Sequence, residues 1–552
     1  MKKFIVLFFF FPSLLFSLSF FDDFEDPADL ARRIVNEMSD EEALGQCFML
    51  AWVGAEPSPL ILNWIRERNI GGVKIFGWNT DDSQILARAV GILQENALRT
   101  KFSIPLLVAT DQEGGIVRHV KGATSETPGN MAIGASGFPM DAYRSGLYIG
   151  RELALLGINM NFAPAVDLYT SRDSILIGPR SFGNDPVQTW ILGAAFARGM
   201  KDSGIISTAK HFPGHGDTPL DSHGVLPRID APFETLWERE LIPYRFMIRE
   251  GIPAIMSGHL AFPNTGGGGA PASLSSWFLQ DILRSYMGFD GLIITDDLMM
   301  NGALNYTRSL SLAAREALLA GNNIIMFSQT PNLHDPVWTV LADSMRLDPV
   351  FHYQIRDSAR RIVEVKLRYL RFENSVPLIP DLSKIDEGIA DPQSTAFFLD
   401  LAARSVSIAK NLNTAGERVF PLDLEKAGRI LLAGRFNDFF IAGERAFPGA
   451  QVFRSSGQSA ANLIQAARNV ETIIFCLSDA VDMRLLQNLY GLGKQVIVFS
   501  ILSPVHIEQA LWADGILAVY SYAPESFIAG FSAILGRIPA GGQLPFSLST
   551  GP

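Results

Sequence analysis

Residues 207–227 read Ser-Thr-Ala-Lys-His-Phe-Pro-Gly-His-Gly-Asp-Thr-Pro-Leu-Asp-Ser-His-Gly-Val-Leu-Pro. This stretch holds three of the chain's eight histidines, His211, His215 and His223, together with Lys210, Asp217 and Asp221. Pro213, Gly214, Gly216 and Pro219 oppose a regular helix, so the segment is expected to be a long loop following a strand. Two chemistries are open to it. Histidine and aspartate ligate metals, but His211 and His215 share a face only on a helix, which Pro213-Gly214 interrupts. The helical zinc signature also needs Glu directly after its first His, where Phe212 stands. Acid/base chemistry fits better. Asp221 and His223 lie two apart, close enough for the carboxylate to fix one imidazole nitrogen and leave the other free to move a proton. An isolated Asp-Ser-His is most often a solvated turn; here it closes a run of chemistry-bearing residues.

A second carboxylate stands in Gly-Leu-Ile-Ile-Thr-Asp-Asp-Leu-Met-Met, residues 291–300. Strand residues alternate sides, which puts Leu292, Ile294 and Asp296 on one face. A carboxylate at the end of such a strand can attack an anomeric carbon. Asp297 would point the other way, toward the next helix as a cap.

Positioning these groups requires a scaffold. Eight short apolar runs, at 47–53, 72–76, 106–110, 160–165, 206–211, 254–259, 292–296 and 323–327, alternate with helical patterns at 83–99, 142–156, 187–203, 233–250, 276–286 and 309–320. Such alternation predicts an α/β chain with a parallel sheet, and eight units predict a closed (β/α)8 TIM-like barrel. Asp111, Asp167, Lys210, His211, His259 and Asp296 fall at or just past the ends of these strands, where barrel active sites are built. Residues 28–376 form this catalytic unit. A Pro- and Asp-rich linker at 377–395 leads to a smaller doubly wound α/β sandwich domain, residues 396–552, with strands at 406–408, 429–433, 451–454, 472–477, 495–499 and 515–520 and helical patterns at 460–468 and 505–512. It carries no Gly-rich phosphate loop.

Lys2 and Lys3 precede an apolar run and Ser17-Leu18-Ser19, the pattern of a secretory signal peptide over residues 1–19. The run is short for a spanning helix. The expected location is therefore periplasmic or extracellular, with membrane contact only through an uncleaved form of this segment. A net charge of −11 argues against a nucleic-acid partner. The two cysteines, Cys47 and Cys476, sit in separate apolar runs and read as buried thiols.

The chain resembles glycoside hydrolase family 3, in its bacterial β-N-acetylglucosaminidase branch. The resemblance rests on the loop from Lys210 to Pro227, on residues 291–300, and on four further blocks in order: Asp111-Gln-Glu-Gly-Gly, Asn161-Phe-Ala-Pro, Arg180-Ser-Phe-Gly and Met256-Ser-Gly-His. It implies Asp296 as nucleophile, His223 as general acid/base assisted by Asp221, and Asp111, Arg180, Lys210 and His211 as sugar-binding groups, with no metal and no organic cofactor. It implies a carbohydrate substrate and retention of configuration. Where the family pattern often has Arg directly after Asp-Gln-Glu-Gly-Gly and again three residues on, this chain has Ile116 and His119, so His119 stands in for one substrate contact. The alternatives are β-glucosidase or phosphorylase activity on the same scaffold, or a glycan-binding protein without catalysis. The Asp221/His223 loop speaks against β-glucosidase, a neutral His leaves phosphorolysis open because it does not repel incoming phosphate, and the intact set of three catalytic residues speaks against a binding protein.

Overall fold

The short apolar runs pair in chain order and close on themselves. In the computed structural model, which describes residues 18–22, 26–174, 176–372 and 374–548, the barrel strands are β1 (Phe48–Ala51), β2 (Gly72–Ile75), β3 (Leu107–Thr110), β4 (Met160–Asn161), β5 (Ile206–Phe212), β6 (Ala254–Ser257), β7 (Leu292–Asp297) and β8 (Ile324–Phe327). Each is parallel to its neighbours, and β8 pairs with β1 to close the ring. The expected export segment lies outside the described residues except for Leu18 and Ser19. Strand β4 is shorter than the apolar run at 160–165 suggests, because Pro164 has no N–H to give to the ladder.

Helices start where side chains satisfy their first N–H groups. Ser58 caps Pro59–Arg68, Asp82 caps Ser83–Leu98, Asp185 caps Pro186–Asp202 and Ser309 caps Leu310–Ala320. Pro59–Arg68 fills the β1–β2 connection, for which the sequence pattern gave no helix. The single helix expected over 233–250 is instead two, Phe233–Glu238 and Leu241–Arg249. Pro243 has no N–H for the Arg239 carbonyl, and the chain breaks there. The segment Trp277–Tyr286 is a π-helix.

The second domain is a six-stranded sheet of β9 (Ser407–Lys410), β10 (Ile430–Gly434), β11 (Gln451–Arg454), β12 (Thr472–Leu477), β13 (Gln495–Ser500) and β14 (Gly515–Ala518). The order is β9-β14-β13-β12-β10-β11, parallel except for β9. Phe439, Phe499, Phe527 and Phe531 pack in one apolar layer, and Leu463, Met483, Leu486 and Ile507 in another, so helices cover both faces. Cys47 and Cys476 are buried and unpaired. The expected helix at 505–512 is a 3₁₀ segment, Pro504–Ala510.

The chain's last described residues return to the barrel. Asn184 N–H donates to the Pro545 carbonyl at 3.2 Å, Tyr169 packs on Phe546 with centroids 5.3 Å apart, and Arg172 pairs with Glu508.

Where the long helix Pro349–Leu370 crosses the start of β1, the barrel encloses a lysine. Lys366 is fully buried, and its ammonium donates to Gln46 Oε1 at 2.9 Å. Burial pushes this amine from its ordinary 10.5 down to about 7. Between those two values the unfolded chain binds the proton that the folded protein has released, so folding stability rises with pH across that window. Lys366→Met is expected to flatten the rise between pH 7 and 10 in urea-unfolding midpoints. An unchanged rise in the variant would assign it to other groups.

Candidate active site

The hairpin after β3 brings two carboxylates to the barrel mouth. Asn161 grips the Gln112 backbone from both sides, donating to its carbonyl and accepting from its N–H, each at 2.9 Å. The Gln112 side chain in turn laces the hairpin shut at Val120. Gly114 and Gly115 turn the hairpin at φ of 90° and 61°, and a Cβ on Gly114 would sit 2.6 Å from Thr127 Oγ1. Asp111 and Glu113 are thereby fixed beside Lys210.

Lys210 donates to Asp111 and, at 2.6 Å, to Glu113 Oε1. Arg180 binds Glu113 bidentately at 2.8 and 2.9 Å and lies 3.2 Å from His211 Nε2. Lys74, on β2, donates to Asp111 Oδ2 at 2.7 Å and sits 3.2 Å from His119 Nδ1. Burial opposes charge on Lys210, but Asp111 and Glu113 outweigh it and raise its pKa. Burial wins at Lys74, whose pKa falls despite Asp111. His119 is pushed down to about 4, first by burial and then by Lys74, so its ring is neutral.

Strand β5 carries Lys210 and His211 side by side, both reaching groups at the mouth. A register shift between Ala209 and Phe212 breaks the alternation that would have sent them to opposite faces. His211 Nδ1 lies 2.7 Å from Asp167 Oδ2. Asp167 also accepts the His211 and His215 backbone N–H groups. Burial works against ionisation of Asp167, but His211, His215 and these donors hold its carboxyl well below the usual range.

Asp296 ends β7 and accepts the Asp297 N–H at 2.8 Å. Burial again opposes ionisation, and His211, His259, that N–H and Lys210 overcome it, holding the carboxyl below its ordinary value. Asp297 does not cap the next helix. Its Oδ1 accepts the Met299 and Ser328 N–H groups, tying the turn to the end of β8, and the helix Asn301–Thr307 begins at Met300 without a side-chain cap. His259 is buried between Ser273 Oγ and the Asp297 carbonyl.

Asp221 and His223 form the dyad expected from their spacing. Asp221 Oδ1 lies 2.6 Å from His223 Nδ1 and accepts the His223 backbone N–H at 2.8 Å. A carboxylate only accepts, so Nδ1 carries the proton and Nε2 is the nitrogen available for transfer. Burial opposes ionisation of Asp221, and the His223 contacts still lower its pKa. The pair is open to solvent, with side chains 52% and 66% exposed. The loop is tied to the segment after Asp296, since the Ser222 carbonyl accepts the Gly302 N–H at 3.0 Å. Asp217 is taken up by an ion pair with Arg239 at 2.5 Å.

The mouth therefore gathers Asp111, Lys210, Arg180, His211 and His119 around one ion network, with the field of His211 and Lys210 reaching Asp296. Sequence reasoning passed over Lys74, Glu113 and Asp167 as site residues. A lysine inside the apolar run of β2 was the available signal for the first. Glu113 lay within a quoted motif, and Asp167 among the strand-end residues. Among the described residues, no three His, Cys, Asp or Glu side chains converge as a metal-holding group.

Comparison with known proteins adds to this geometry. The model described as glycosyl hydrolase family 3 N terminal domain matches residues 41–365. A beta-hexosaminidase A from Pseudoalteromonas piscicida is 31% identical over 376 residues, covering 64% of this chain and 61% of that protein, so the match spans about three fifths of the relative. A beta-hexosaminidase from Tolumonas auensis is 37% identical over 242 residues, covering 43% of this chain and 70% of that one. The solved family 3 beta-N-acetylglucosaminidase from Paenibacillus sp. superposes with a TM-score of 0.82 at 26% identity, covering 93% of this chain and all of that one.

Removing the charge of Glu113 would leave buried Arg180 without its bidentate partner and Lys210 with one carboxylate fewer. Glu113→Gln is expected to cost about 3 kcal/mol in urea unfolding. Asp217→Asn, at a partly exposed pair, should cost at most about 1 kcal/mol. Equal losses would contradict the central place given to Glu113.

Proposed function

The chain belongs to glycosyl hydrolase family 3, and from that premise we propose that it is a retaining exo-β-N-acetylglucosaminidase. It removes terminal non-reducing β-linked N-acetylglucosamine from peptidoglycan-derived or chitin-like glycans, outside the cytoplasm. The observation that carries this reading is the Asp221–His223 pair, at 2.6 Å, on a loop bound to the segment that follows Asp296. The names of the curated relatives, β-hexosaminidases, support the sugar class.

Asp111, Lys210, Arg180, His211 and His119 bind the terminal sugar at the barrel mouth. Asp296 attacks the anomeric carbon while the bond to the leaving oxygen breaks. His223, as imidazolium, gives its Nε2 proton to that oxygen, while the Asp221 carboxylate holds Nδ1–H and orients the ring. His223 then accepts a proton from water as the water displaces Asp296, which restores the anomeric configuration. Because Asp296 ionises below the ordinary carboxylate range, it remains a nucleophile in mildly acid solution.

The deciding experiment compares aryl β-N-acetylglucosaminide with aryl β-glucoside, using wild type and Asp296→Ala. We expect release from the first substrate alone, and its loss in the variant by at least about a thousandfold. Preference for the glucoside would overturn the sugar assignment, and no release from either would overturn hydrolysis.

A further inference from the structure

His215 is singled out by the sequence and has no part in the reaction just described. It is buried, with 1% of its surface exposed. Its backbone N–H donates at 2.7 Å to Asp167, the carboxylate that also holds His211. The next residue, Gly216, lies so close to the Leu168 carbonyl that a Cβ would fall 1.5 Å from its oxygen. The side chain of His215 thus projects from a point fixed on the barrel wall. Its Nε2 meets Ser222 Oγ at 3.1 Å, while Nδ1 is buried with no hydrogen-bond partner.

Ser222 stands between Asp221 and His223 and is the buried foot of this exposed dyad, with 1% of its surface exposed. The hydrogen bonds between Asp221 and His223 fix the two residues relative to each other, but not relative to Asp296. That second constraint comes from contacts crossing to other segments. His215 holds the Ser222 side chain, Gly302 N–H holds the Ser222 carbonyl, and Asn301 N–H reaches the His223 carbonyl at 3.4 Å. A Cβ at Gly302 would lie 3.0 Å from both the Ser222 carbonyl and His259 Cβ, so the second contact leaves little slack. Proton transfer requires His223 Nε2 within hydrogen-bond reach of the leaving oxygen, and small misplacements are costly.

We infer that His215 is a positioning residue for the acid/base loop: a neutral imidazole that donates from Nε2 to Ser222 Oγ and sets the position of His223 over the nucleophile. Nδ1 is then a bare acceptor, which protein interiors tolerate better than an unpaired N–H. Burial favours the same neutral form. The inference rests on the proposed acid/base role of His223.

The test is kcat/KM on two aryl β-N-acetylglucosaminides, one releasing a strongly acidic phenol and one a weakly acidic phenol. This parameter reports the step in which the leaving oxygen is protonated. His215→Leu and Ser222→Ala are each expected to lower the ratio of the weak to the strong phenol by about tenfold. The double variant should fall no further, and His215→Gln, whose amide can donate to Ser222, should recover most of the ratio. Equal losses on both substrates, no loss, or additive losses would overturn the inference. Should His215→Leu fail to fold, Ser222→Ala and His215→Gln carry the test. His223→Ala run in parallel separates the two claims. A steep fall there with a flat response at His215 and Ser222 removes only the positioning role, whereas a flat response at His223 removes the acid role and this inference with it.

Discussion

The structure depends on how the barrel mouth accommodates buried charge. Lys74, Lys210 and Arg180 are buried, as is Glu113, and Asp111 is nearly so. Charges of one sign could not stay ionised there, and an isolated one would neutralise. Their interleaving settles the matter: Asp111 between two lysines, Glu113 between Lys210 and Arg180. These groups come from β2, the β3 hairpin, the β4 loop and β5. The network therefore exists only when those neighbouring strands have closed in register, and it fixes donors and acceptors in advance of any ligand.

The two halves of the site differ in how they are held. Asp111, Glu113, Lys210, Arg180 and Asp296 are set in the wall of the barrel, each held by several partners. The Asp221–His223 pair stands in solvent on a loop rich in proline and glycine, anchored through buried Ser222 and through the His223 carbonyl. Under the proposed function, such a division would hold a terminal sugar in the wall and leave an open side for the departing glycan.

The second domain contributes by contact. Its last described residues seat against Tyr169, Arg172, Gly183 and Asn184, the same β4 loop that presents Asp167 and Arg180. Gly183 has no room for a Cβ because Pro545 O lies 2.4 Å from where it would be. The loop that orders two network residues is thus pressed from outside by a segment more than 350 residues later in the chain.

The alternation of short apolar runs with helical patterns was enough to read the barrel and the second sheet, because burial on both faces makes each strand a near-continuous apolar run bounded by polar turns. The Asp221–His223 contact was readable too, since two residues apart in a loop it needs no distant partner. Sequence did not show that Lys74 enters the site, that Glu113 is the hub between Lys210 and Arg180, or that Asp297 ties a turn to β8. Strand alternation by itself would send Lys210 and His211 to opposite faces, and only the register shift shows how both reach the mouth. These features depend on groups distant in sequence meeting at one face, and only closure of the barrel brings them within hydrogen-bonding distance.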